Sequence, residues 1–122
     1  MEGHPDDELR SQVLNFLKDF KELMGQGRYF IKDHYKNYQS LVNLGLTSRQ
    51  RDELILALVI GDYSSGPNPD QYKPGYYWVF GKELGSIEIY IKLKLVATKN
   101  GDENAVCISF HPSEFPLKYP FS

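Results

Sequence analysis

A strict alternation of apolar and polar residues near the C-terminal end constrains this chain more than any other feature. Ile87 to Val96 reads I-E-I-Y-I-K-L-K-L-V, and Ala105 to His111 reads A-V-C-I-S-F-H. In an extended strand successive side chains point to opposite faces, so Ile89, Ile91, Leu93 and Leu95 form one apolar face while Tyr90, Lys92 and Lys94 share the other. Carried into the second run, the same period expects Val106, Ile108 and Phe110 on the apolar face. Cys107, Ser109 and His111 are then expected beside Tyr90 and the two lysines. Asn100-Gly101 between the runs is a common hairpin signal. A sheet whose open face shows tyrosine, lysine and histidine together has the parts for phosphate chemistry, since a cation can anchor the anion while its neighbours exchange protons.

The N-terminal half has a different period. Leu9, Val13, Phe16, Leu17, Phe20 and Met24 recur at steps of three and four, which predicts an amphipathic helix over residues 8–24 with Asp6 or Asp7 as cap and Gly25 as stop. Arg28 to Lys32 is a short β-prone run, plausible as an edge strand. Tyr35 to Leu44 before Gly45 predicts a second helix, and Thr47 can cap a third that runs to about Ile60. Tyr63 to Gly75, dense in Pro, Gly and Asn, is expected to be a long loop, followed by an aromatic strand near 76–81. With strands near 87–96 and 105–111 this gives an α+β domain, its helices packed on one face of a small antiparallel sheet. The tail from Pro112 to Ser122 is expected as an irregular extension.

With 122 residues and 41% hydrophobic content, the chain suits one domain over 1–122, large enough for a core without metal or disulfide support. The single Cys107 reads as a reduced thiol of an intracellular protein. No apolar run approaches the ~20 residues needed to span a bilayer. The acidic N-terminus is unlike a signal peptide, so a soluble cytoplasmic protein without a membrane partner is expected. A net charge of −2 gives no global basic field, and any nucleic-acid binding must rest on a local patch.

Gly3-His-Pro-Asp-Asp-Glu resembles the metal-binding signature of LmbE-like zinc deacetylases, but it begins at residue four and leads into a helix, where its carboxylates favour the helix dipole. No other His, Cys or acidic pair has ligand spacing, so no metal or cofactor is expected and His34 reads as a surface helix residue. His111 ends a strand just before Pro112. A strand-end histidine is commonly structural, and Lys92 with Lys94 could equally be solvated, edge-protecting lysines. Tyr77 and Trp78 offer stacking surfaces for bases, one of the two being expected in the core.

Four short stretches, in order, resemble one family: Asp62-Tyr63-Ser64, Tyr77-Trp78-Val79, Ile89-Tyr90-Ile91-Lys92 and Ile108-Ser109-Phe110-His111. Over about residues 9–111 the chain resembles the MqsR family of type II toxin-antitoxin toxins, mRNA interferases with a RelE-like fold. The resemblance implies metal-independent cleavage of mRNA with the 2′-hydroxyl as nucleophile, and a cognate antitoxin as partner. Tyr90 and Lys92 match the family's strand tyrosine and the lysine after it. His111 stands where the family has a lysine, Ser64 and Ser65 where a lysine often follows the loop tyrosine, and Val79 where a polar residue adjoins the tryptophan.

These residues give a set of expected roles. Histidine titrates near neutrality, so His111 is assigned proton transfer, with Tyr90 positioning the phosphate or serving as second proton-transfer group. Lys92 would stabilise charge on the pentavalent phosphorus, helped by Lys82, while Lys94 and Trp78 would hold RNA. The rival reading is a non-catalytic module whose polar sheet face binds a protein, and a small-molecule enzyme using His111 with the Tyr63 to Gly75 loop as a lid has no cofactor motif to support it.

Overall fold

A computed structural model describes residues 5–122. The first helix, α1 (Pro5–Gly25), places Asp6, Asp7 and Glu8 in its first turn. The two aspartates are therefore not caps as expected; they lie inside the helix, where their charge complements the dipole. Val13, Phe16, Leu17 and Phe20 are buried, and each such side chain contributes roughly 1.5–3 kcal/mol by leaving water. Phe16 stacks on Trp78 at 5.0 Å between ring centroids and faces Phe80 at 6.0 Å, which seats α1 on the sheet.

The strand β1 (Tyr29–Ile31) is followed by α2 (Tyr35–Leu44) and α3 (Ser48–Leu56). Gly45 ends α2 in the left-handed conformation at φ 68°, the geometry that favours glycine. Thr47 and Gln50 form a reciprocal capping box that opens α3. Helix α3 stops at Leu56, short of the expected Ile60, and a 3₁₀ turn covers Ile60–Asp62. There Asp62 Oδ2 accepts from the Val59 N–H at 3.0 Å, and Lys21 Nζ donates to the Leu58 carbonyl at 2.6 Å. Side chains thus satisfy backbone groups that a continued helix would have used. The Tyr29 hydroxyl donates to Asp52 at 2.8 Å, tying β1 to α3.

Four more strands follow: β2 (Tyr63–Pro69), β3 (Tyr76–Leu84), β4 (Ile87–Ala97) and β5 (Glu103–Pro112). They form one open sheet in the order β1-β5-β4-β3-β2, antiparallel except for the parallel pair β1–β5. The fold is α+β with the helices against one sheet face, and its sheet is mixed because β1 enters beside β5 in the same direction. Residues 63–69, expected as loop, are a strand despite Pro67 and Pro69. At a sheet edge, proline need not donate to a neighbour, and register shifts on either side of Ser65 accommodate the irregular sequence. Gly66 sits at φ 124°, and a Cβ there would come within 3.0–3.1 Å of the Tyr77 carbonyl and Trp78 Cα, so this approach of β2 to β3 requires glycine.

The core lies between α1 and the inner sheet face, where Phe80, Ile89, Ile91, Leu93, Cys107 and Phe110 are fully enclosed. Cys107 corrects the simple alternation. It lies opposite Leu93 and faces the helices, while Val106 lies opposite Lys94 on the other side. A β-bulge between the pairs Lys92–Ser109 and Leu93–Cys107 inserts Ile108 as an extra residue and changes the phase of β5. Burial pushes the Cys107 thiol up to about 12. Native protein at pH 8 is accordingly expected to resist a thiol-reactive dye for hours and to label fully in guanidinium. Rapid labelling without denaturant would mean that the core around β5 opens readily.

Candidate active site on the open sheet face

Downstream of the bulge, β5 turns Ser109 and His111 to the open face, with Ser109 opposite Lys92 and His111 opposite Tyr90. The bulge is held by a residue from another element. Asn37 of α2 is buried; its Nδ2 donates to the carbonyls of Ile108 (2.8 Å) and Lys32 (3.3 Å), and its Oδ1 accepts from the Phe110 N–H (3.0 Å). Lys32 directly follows β1 while Ile108 and Phe110 belong to β5, so one amide bridges the two segments where their own pairing stops.

The Tyr90 and His111 rings stack, with centroids 5.2 Å apart and planes 16° from parallel. His111 Nδ1 lies 2.9 Å from the Pro112 carbonyl. A carbonyl can only accept, so this contact places a proton on Nδ1 and leaves Nε2 of the neutral ring as the basic nitrogen. Burial, with the nearby Tyr77, raises the Tyr90 phenol above its ordinary range, which keeps it protonated at neutral pH. Lys92 Nζ sits 4.0 Å from the centroid of the Tyr77 ring, and among the described residues it has no ion-pair partner. Burial holds its ammonium below the usual lysine range; Lys32 and Lys94 add to this and Asp70 offsets part of it. Lys92 is thus a partly desolvated cation that no carboxylate of the described residues contacts directly, an arrangement suited to an anionic ligand.

The other expected RNA contacts have different surroundings. Lys94 shares the face of Lys92 but is buried under the β2–β3 connection, 2.7 Å from Asp70 Oδ2. That contact holds the Asp70 carboxyl well below the ordinary range, with help from the Tyr72 N–H. Lys82 lies opposite Ile89, on the helix side of the sheet, and pairs with Asp62 at 3.0 Å. Trp78 is the core member of the aromatic pair, stacked on Phe16, and Tyr77 is the one on the open face. Trp78, Lys82 and Lys94 therefore do not join the cluster of Tyr90, Lys92, Ser109 and His111. His34 caps α2 through Nδ1, which accepts from the Lys36 N–H.

Residues 113–122 are irregular, as expected, yet they build part of this face. Glu88 anchors them with both oxygens, accepting from the Leu117 N–H at 3.0 Å and from the Tyr119 hydroxyl at 2.7 Å. A Cβ on Gly81 would fall 2.1 Å from the Tyr119 hydroxyl and 2.8 Å from Leu117, so the tail lies directly on β3 where that strand has no side chain. Between tail and β2 runs an open groove of about 510 Å³. Its floor is Tyr77, Val79 and Tyr90, one bank is Ser64, Ser65 and Asn68, and the other is the tail from Phe115 to Lys118. Sequence reasoning marks the Tyr63 to Gly75 stretch as a loop of the kind that often carries function, but singles out none of its residues as site residues and gives the tail no role, since the tail has no periodicity and the β2 polar residues sit among prolines and glycines.

His4, weighed above for zinc, lies outside the described residues. Among those described, no three His, Cys, Asp or Glu side chains gather as a metal site, and no helix is long and apolar enough to cross a membrane. Comparison with protein-family models, curated proteins and solved structures finds no match to this chain.

Proposed function

We propose that the protein is an endoribonuclease that cleaves single-stranded mRNA on its open sheet face without a metal, and that it acts as the toxin of a type II toxin-antitoxin pair, neutralised by a cognate antitoxin. The observation that carries the nuclease reading is the Tyr90–His111 stack beside the unpaired Lys92. The resemblance to MqsR toxins supports the cellular role. In this reading His111 Nε2 takes the proton of a ribose 2′-hydroxyl, whose oxygen attacks the adjacent phosphorus. The O2′–P bond forms and the P–O5′ bond breaks, leaving a 2′,3′-cyclic phosphate. The Tyr90 phenol gives its proton to the departing 5′-oxygen, and solvent returns both groups to their starting states. Lys92 stabilises the added charge on the non-bridging oxygens, a contribution whose loss typically costs about 10²–10³ in rate.

The test is cleavage of an end-labelled single-stranded RNA by purified protein in EDTA. Products with 2′,3′-cyclic phosphate and 5′-hydroxyl ends are expected, and a single 2′-deoxy substitution at the cut site should block that cut. RNA that is bound yet stays intact would replace the nuclease with a binding module. Growth arrest on induction, relieved by co-expression of a neighbouring reading frame, tests the toxin role.

A further inference from the structure

The groove beside the reactive pair has no part in the chemistry just described, yet it is continuous with it. Tyr90 belongs to both: one face of its ring meets His111, and the residue also lines the groove floor. A phosphate held at Lys92 and His111 would carry its neighbouring nucleoside onto that floor. The floor suits a flat, apolar guest, since Tyr77 supplies an aromatic ring and Val79 an aliphatic surface, with Leu117 closing one side. The opposite bank is polar. Asn68 Nδ2 donates to Ser65 Oγ at 3.2 Å, which orients the amide and leaves its Oδ1 without a partner among the described residues. The second amide proton and the Ser65 hydroxyl proton are likewise unused. A π surface edged by a fixed set of donors and one acceptor is the chemistry that reads a nucleobase, by stacking on its face and hydrogen bonding along its edge. The volume lies within the usual range of roughly 300–1,000 Å³ for sites that enclose small ligands.

We infer that the groove between β2 and the C-terminal tail is a nucleobase subsite, in which Asn68 and Ser65 select the base next to the phosphate held at Lys92 and His111. This rests on the reading of RNA as the ligand of the open face, but it does not require that the RNA be cut. The experiment is therefore a binding measurement with probes that cannot react: fluorescein-labelled 2′-O-methyl hexamers of A, C, G and U, titrated with the full chain and read by fluorescence anisotropy. One hexamer should bind about 10-fold or more tighter than the weakest. Asn68→Ala should reduce that preference by about 10-fold, the scale of one lost bidentate base contact, while circular dichroism melting stays within a few degrees of the parent. Ser65→Ala should act in the same direction to a smaller extent. The inference is overturned if the four hexamers bind within about twofold of one another or do not bind, or if both variants keep the parent's ranking and affinities. Base-selective binding that Asn68→Ala abolishes, in a protein that leaves RNA uncut, would keep the subsite and remove the nuclease. Cutting without base selectivity would do the reverse.

Discussion

Replacing His111 with alanine is expected to lower RNA cleavage by ~10²-fold or more while leaving the melting temperature nearly unchanged, the usual scale for a lost general acid or base. The ring is only partly buried, sits one residue from the end of its strand, and makes a single hydrogen bond, to the carbonyl of the next residue. Its removal therefore orphans no buried group and opens no core cavity. Lys92→Ala should also lose activity, but with weaker RNA binding and a shallower salt dependence, because a phosphate contact contributes through released counterions. A His111→Ala protein that still cuts RNA at the parental rate, or that melts far below the parent, would make the histidine structural and require another base.

The second large effect belongs to a residue that touches no substrate. Asn37→Ala should cost about 3 kcal/mol of stability, because it strands the Ile108 carbonyl and the Phe110 N–H in a buried setting, at roughly 1–3 kcal/mol for each group. Urea denaturation would read this as a lower midpoint at similar slope. Activity should fall as well, since Asn37 fixes the bulge that turns Ser109 and His111 toward Lys92 and Tyr90. A loss under about 0.5 kcal/mol would show that the bulge holds its shape without the amide.

Asn37 also marks where the sequence ceased to be legible. In β4 each inward residue is aliphatic and Tyr90, Lys92 and Lys94 are polar or amphipathic, so burial allows only one register and the faces follow from the pattern. In β5 the run Val106, Cys107, Ile108 is apolar throughout and fits either phase. The alternation therefore placed Ser109, Phe110 and His111 on their correct sides and Val106 and Cys107 on the wrong ones, because the bulge between them is held by an amide from a helix just over seventy residues earlier. The helices were readable from their own chemistry: the α1 stripe, Gly45, and Thr47 as cap all act within a few residues. Lys92 and Lys94 were indistinguishable by alternation, and only the fold of the β2–β3 connection, which brings Asp70 onto Lys94, separates the cation available to a ligand from the one already paired. The groove was not legible because its banks come from a strand that reads as loop and a tail that has no pattern.

Because β1 lies beside β5, the first strand of the sheet meets the last. Every other pairing joins strands adjacent in sequence, so residues 63–112 can zip together from local hairpins. The β1–β5 contact must instead close a loop running from Ile31 to Ala105, and the entropy of closure grows with loop length. Helix α2, which carries Asn37, follows β1 directly. The inner surfaces of Phe80, Ile91 and Phe110 thus wait for their cover, and the clamp on the bulge arrives with it. From this topology the long-range closure that completes the sheet is expected late in folding, and with it comes the Asn37 clamp on the bulge that precedes Ser109 and His111.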